Sequence, residues 1–200
     1  MKTIIKTTVA LLVAAGTSLA APQVGQPAPA FTLTDSNGQA HNLSDFKGKF
    51  VVLEWLNHGC PFVIKHYGSG NMQKLQKEYT GKDVVWLSIV SSAPGKQGHM
   101  SPEETNKAKT EKGSGATAVL IDEDGAVGKL YDAKVTPELY VINPDGVLVY
   151  MGAIDDKKSV DAADIAGAKN YVKQALDEVM AGKPVSEPTT TPYGCGIKYN

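Results

Sequence analysis

The chain has no arginine: all twenty of its basic residues are lysine. It therefore lacks the planar donor fork that holds an anion from two sides at once. It also lacks an excess of either charge. Twenty lysines stand against twenty-one Asp and Glu, a formal net charge of −1, and the two signs are interspersed. That balance excludes a general electrostatic grip on nucleic acid or on an anionic membrane surface. Cysteine is scarce, with two in 200 residues, yet two is enough for one pair. Internal repeats are missing. The most apolar run, Thr7 to Ala15, is too short to span a bilayer comfortably.

That run sits in a leader pattern. Lys2 and Lys6 form a positive start, Thr7 to Ala15 an apolar middle, and Ser18-Leu19-Ala20 a small-residue cleavage site. Residues 1–20 are expected to be a signal peptide cut after Ala20, with a retained anchor helix as the alternative. No cysteine follows the cut, which argues against a lipoprotein. The mature chain is expected to be exported, to the periplasm, with no membrane attachment after cleavage. Disulfides form in such a compartment. Residues 21–181 have the length of one domain with a full core, and residues 182–200 read as a Pro- and Thr-rich tail.

The most informative stretch is Val51 to His66, V-V-L-E-W-L-N-H-G-C-P-F-V-I-K-H. An apolar, β-branched run stops at a short polar break. Cysteine and proline follow, and then an amphipathic helix pattern begins. Cys60 is thereby placed where a strand hands over to a helix. The first N–H groups of a helix have no internal partner and carry the positive end of its dipole. A thiolate, the reactive form of cysteine, is favoured there.

Around this stretch the chain reads as alternating strands and helices. The first elements are a hairpin over Phe31–Leu33 and His41–Leu43 and a helical turn over Ser44–Lys49. The buried strands are Phe50–Leu56, Asp83–Val90 and Ala118–Ile121. Helices are predicted over Pro61–Tyr79, with a bend at Gly68 and Gly70, and from Ser101 to about Gly113. Ser101 is the cap, with proline at the first helical position and Glu104 closing a capping box. Ala126–Tyr131 adds one or two helical turns. Glu138–Ile142 and Val147–Ala153 form a hairpin across Asn143-Pro144-Asp145-Gly146, and a last helix is predicted over Val160–Met180. The tail from Gly182 is expected to hold no regular element. The order implies a three-layer α/β sandwich. Its mixed central sheet carries parallel strands joined by helical crossovers and a final antiparallel pair.

Several motifs in this order resemble the thioredoxin superfamily, and within it the exported redoxin branch of thiol peroxidase-like and TlpA-like proteins. Val24-Gly25-Gln26-Pro27-Ala28-Pro29-Ala30-Phe31 is similar to the V-G-x-x-A-P-x-F start of redoxins. Leu43 to Lys49 is similar to their L-x-D-x-x-G-K. Val135-Thr136-Pro137 resembles the loop whose proline is cis in thioredoxins, and Val141 to Gly146 resembles the strand and turn after it. The resemblance implies a thioredoxin-like fold and thiol chemistry at Cys60. It also implies that Thr136 and Pro137 pack on Cys60 and receive a partner chain, with Pro61 and Phe62 beside them. Glu54, six residues before Cys60, matches the buried carboxylate of thioredoxins. Burial raises such an acid's pKa, which would let it pass a proton to or from sulfur. A solvent-facing or lysine-paired glutamate is the alternative.

The chain also departs from the family patterns. In place of C-x-x-C it has Cys60-Pro61-Phe62-Val63, so the usual second cysteine is Val63. The peroxiredoxin pattern P-x-x-x-[TS]-x-x-C would need proline and threonine where Leu53 and Asn57 stand, and it uses an arginine that this chain lacks. The second thiol available to finish a redox cycle is Cys195. Thirteen residues from Gly182 to Cys195 span roughly 43 Å when extended. A domain of this size has a radius of gyration of about 15 Å, so the tail can reach Cys60. A structural staple and a bond between two chains are the alternatives.

No cofactor and no metal is implied. His58 is expected to be a loop residue tuning the thiolate, His66 to lie on the helix surface, and His41 and His99 to be surface residues without partners. The function expected is an exported thiol-disulfide oxidoreductase with Cys60 as nucleophile and Cys195 resolving. Its substrate is a protein disulfide or a hydroperoxide, and its electron donor a thiol. A peroxiredoxin-like peroxidase and a non-catalytic redoxin with a structural disulfide or a metal-handling role are the other readings.

Overall fold

Buried, β-branched strands separated by amphipathic helices assemble around one seven-stranded sheet, seen in a computed structural model that describes residues 21–200. The expected signal peptide, residues 1–20, lies outside the described residues. The strands are β1 (Thr32–Asp35), β2 (Ala40–Asn42), β3 (Val51–Trp55), β4 (Val85–Val90), β5 (Ala118–Ile121), β7 (Glu138–Ile142) and β8 (Leu148–Gly152), with a short β6 (Val135–Thr136) outside the sheet. Their order is β2-β1-β5-β4-β3-β7-β8. β3, β4 and β5 run parallel, while β7 pairs antiparallel with both β3 and β8. This is the expected mixed sheet.

β3 lies inside the sheet and is buried along its whole length. Side chains alternate across a strand, so Val51, Leu53 and Trp55 face one way and Val52 and Glu54 the other. The first set packs with Leu87, Tyr131 and Tyr140. Val52 packs with Val63, Tyr79, Trp86 and Leu176, under the helices that carry the site. Glu54 is thereby forced into an apolar layer.

Those helices differ from the sequence reading in two places. The segment from Pro61 to Tyr79 is two helices, α1 (Pro61–Gly68) and α2 (Asn71–Thr80). Gly70, at φ 76°, makes the break, because a side chain is disfavoured in that conformation. The last helix does not start at Val160. A 3₁₀ segment over Ala162–Gly167 precedes α5 (Tyr171–Met180), whose true cap is Asn170, its side chain accepting from Lys173 N–H. Val160 is 55 % exposed, and the buried face is Val172, Ala175 and Leu176. α3 (Pro102–Glu111) starts at Ser101 with the expected capping box, and α4 (Ala126–Leu130) is a short turn of helix.

The tail is not without regular structure. It crosses β8, where Thr190 N–H donates to Met151 O and Gly152 leaves the space that Thr190 occupies. It then forms β9 (Cys195–Gly196), which pairs antiparallel with β6. Three histidines are also corrected. His66 is fully buried rather than on the surface, His41 pairs with Asp35 at 3.0 Å, and His99 pairs with Glu123 at 3.2 Å.

Candidate active site

The site is assembled where β3 ends. Asn57 Oδ1 accepts from Gly59 N–H, and Asn57 O accepts from Cys60 N–H, a tight turn that presents Cys60 as the residue capping α1. Gln97, from the loop after β4, donates to Gly59 O and accepts from Asn57 Nδ2, which clamps the turn. Pro61 takes the first helical position, where no N–H is needed. Cys60 Sγ donates to Thr136 O at 3.0 Å, and the Thr136–Pro137 peptide is cis, as the resemblance implied.

Thr136 does receive an extended strand, but it is the chain's own tail. Cys195 lies directly opposite Thr136, and Gly196 opposite Val135. The residue before Cys195 has to be small: a Cβ on Gly194 would stand 2.0 Å from Thr136 O. Tyr193 packs edge-on against Phe62, with ring centroids 5.6 Å apart, and its hydroxyl donates to Asp155. Further on, Ile197 N–H donates to Lys134 O, Ala93 N–H to Lys198 O, and Tyr199 Oη to Ala133 O. Cys60, Cys195, Phe62, Thr136 and Pro137 thus come together as expected, and both thiols are free.

The two sulfurs are electrostatically unequal. Burial alone would push the Cys60 thiol up. Hydrogen bonding from Cys195, from Val63 N–H at the start of α1 and from Thr136 outweighs it and holds Cys60 below its ordinary value. Cys195 is pushed up to about 11, by its own burial and then by Cys60 beside it. When one proton leaves the pair, it leaves Cys60.

Glu54 is fully buried. Its Oε2 accepts from Trp86 Nε1 at 2.7 Å, Ser88 Oγ at 2.9 Å and Gln76 Nε2 at 3.0 Å, and its Oε1 accepts from Tyr67 Oη at 2.9 Å. Burial still dominates and raises its pKa. No hydrogen bond joins Glu54 to Cys60 among the described residues; Tyr67 packs in the same apolar cluster as both Cys60 and Leu56. His58 meets that tyrosine edge-on at 5.0 Å. Burial, with Lys112 nearby, lowers its pKa to about 4, so it is neutral rather than a cation beside the sulfur.

A buried group that sequence reasoning missed lies between α1 and the residue that anchors the tail. His66 stands 3.8 Å from Asp155, whose other oxygen takes the Tyr193 hydroxyl. Burial brings His66 down to about 4 against the pull of Asp155, so this is a neutral contact and not an ion pair. A Tyr-Gly-Cys run in an otherwise apolar-poor tail was the available signal, but its partner Asp155 lies in a loop with no pattern of its own.

The Redoxin family model matches residues 23–170. The chain belongs to the redoxin family. Over 125 residues it is 29% identical to the thiol-disulfide oxidoreductase ResA of Bacillus subtilis, covering 62% of this redoxin and 64% of that relative, just under two thirds of its length. Among solved structures, a conserved protein of Geobacillus kaustophilus superposes with a TM-score of 0.75 at 31% identity, covering 89% of this chain and 93% of that one. A protein of Sinorhizobium meliloti 1021 gives 0.75 at 26% identity, covering 90% and 97%. The fold is thioredoxin-like, a mixed sheet flanked by helices, and the matched region ends before the tail that supplies Cys195.

Two predictions follow from these electrostatics. Cys195→Ala removes the largest contribution lowering the Cys60 pKa, so the pH midpoint for alkylation of Cys60 moves upward; an unchanged midpoint contradicts the pairing. For Glu54, the folded state favours the protonated acid, so ionisation costs stability once pH exceeds the unfolded value near 4.5. Glu54→Gln is destabilised by the loss of carboxylate acceptors. Its deficit relative to wild type should shrink as pH rises from 4 through the raised pKa. Urea unfolding across that range measures the trend, and a deficit that grows with pH refutes it.

Proposed function

We propose that the chain is an exported thiol-disulfide oxidoreductase whose redox centre is the Cys60–Cys195 pair. Cys60 supplies the thiolate, Cys195 closes the disulfide, and Glu54 acts as a buried proton store. The observation that carries this reading is the register of β9, which seats Cys195 opposite the same Thr136 whose carbonyl accepts from Cys60 Sγ. A structural staple would not need one sulfur held at a helix start with a depressed pKa. The name of the ResA relative supports the same reaction class. The leader pattern of Lys2, Lys6 and Ser18-Leu19-Ala20 supports export to the periplasm.

In the oxidising half-reaction, Cys60 thiolate attacks a sulfur of a substrate disulfide and expels a thiol. Cys195 thiolate then attacks the Cys60 sulfur, releasing the second substrate thiol and leaving the Cys60–Cys195 disulfide. A second reading takes a hydroperoxide as oxidant, giving a Cys60 sulfenic acid that Cys195 condenses with loss of water. The complete burial of Cys60 beneath the tail favours it, since a small oxidant fits where a folded protein does not. Pro61, Phe62, Thr136 and Pro137 frame the substrate in either case.

Thiol loss of the reduced protein should be followed separately with insulin and with hydrogen peroxide. Cys60→Ser is expected to slow the productive reaction at least about 100-fold, as loss of a nucleophile does. Cys195→Ser should let the mixed disulfide or sulfenic acid accumulate on Cys60. Unchanged rates in Cys60→Ser with both oxidants would rule the reading out.

A further inference from the structure

The inference here rests on Cys60 and Cys195 acting as one redox pair, and concerns how electrons return to it. The two sulfurs are not equally reachable. Cys60 is 0 % exposed, sealed by β9, whereas Cys195 is only half-buried. The seal is fastened on both sides of the sulfur. Tyr193 is pinned by Phe62 and Asp155 on one side, and Ile197 and Tyr199 by Lys134 and Ala133 on the other. A thiol aimed at Cys60 has to unfasten that strand, and a thiol aimed at Cys195 does not.

The leaving groups differ in the same sense. Exchange is faster when the expelled sulfur is the better-stabilised thiolate. Attack at Cys195 expels Cys60, which hydrogen bonding from Val63 and Cys195 N–H groups stabilises. Attack at Cys60 expels Cys195, whose burial and the neighbouring Cys60 outweigh the support of Lys198 and the Phe62 backbone and leave it the poorer thiolate. Lys198, three residues on, places a positive charge near Cys195 that favours an incoming anionic thiolate.

We propose that Cys195 is the sulfur through which an outside thiol reductant delivers electrons, with Cys60 expelled as the leaving thiolate. The reductant is a solvent-borne thiol and need not pair with β6, because that edge is filled by the chain's own tail. The first thiolate attacks Cys195 Sγ, forming a mixed disulfide and breaking the Cys60–Cys195 bond, whose electron pair stays on Cys60. A second thiolate attacks the reductant's own sulfur, releasing a disulfide and Cys195 as a thiolate that takes a proton from water. Two thiols are oxidised and one protein disulfide is reduced.

The full-length mature protein, oxidised and checked by mass spectrometry for the Cys60–Cys195 linkage, is mixed with limiting glutathione. Acid quenching on the millisecond scale is followed by peptide mapping. The expected result is glutathione on Cys195 in at least about tenfold excess over Cys60, the bias set by leaving-group and access differences. Equal labelling, or labelling mainly at Cys60, overturns the proposal while leaving the redox pair intact. Failure to form the linkage at all removes the pair, and with it the proposal.

Discussion

The structure depends on a two-residue antiparallel pairing, β6 with β9. It is small, yet it determines what Cys60 faces. Without it Cys60 would be a monothiol at the head of α1, with Val63 where many thioredoxin-like sites have their second cysteine. With it, a sulfur 135 positions away in sequence lies across the Thr136 backbone. Two hydrogen-bonded residues cannot hold a 19-residue tail alone. The aromatic anchors Tyr193 and Tyr199, placed on either side of Cys195, supply the rest of the docking.

The pairing also constrains the local sequence closely. Gly194 is needed because its backbone passes over Thr136 O with no room for Cβ, and Gly152 is needed where the tail crosses β8. Gly125 and Gly128 leave room for the Tyr199 ring. These glycines lie in three separate parts of the chain, the start of α4, β8 and the tail itself, and each makes room for the docked tail. The tail is thus an integral part of the fold rather than an appendage.

Much of this was legible in sequence, and the limits have physical causes. Strand runs such as Val51–Trp55 and the Ser101 capping box are local signals, and both are found where expected. Cys60 and Thr136-Pro137 were legible because the motifs around them hold their spacing. The break at Gly70 and the late start of α5 were misread because apolar periodicity continues through segments whose backbone does not stay helical. His66 was misplaced because a histidine beside lysine on a short helix looks solvent-facing; its burial is decided by Asp155 and the tail, both distant in sequence. β9 was missed because two residues carry no periodicity.

Sealing Cys60 under its own tail has a chemical consequence. The low-pKa sulfur is protected from bulk solvent, and the sulfur nearer solvent is the one whose thiolate is disfavoured. Such a pair is poised for controlled exchange only if its disulfide is reducible at ordinary thiol potentials. The most direct test is an equilibrium titration of the full chain against glutathione buffers, with the Cys60–Cys195 bond followed by mass. A redox-active pair predicts one two-electron transition at a potential above about −300 mV. A bond that stays closed to well below that value, or that never forms, contradicts the account.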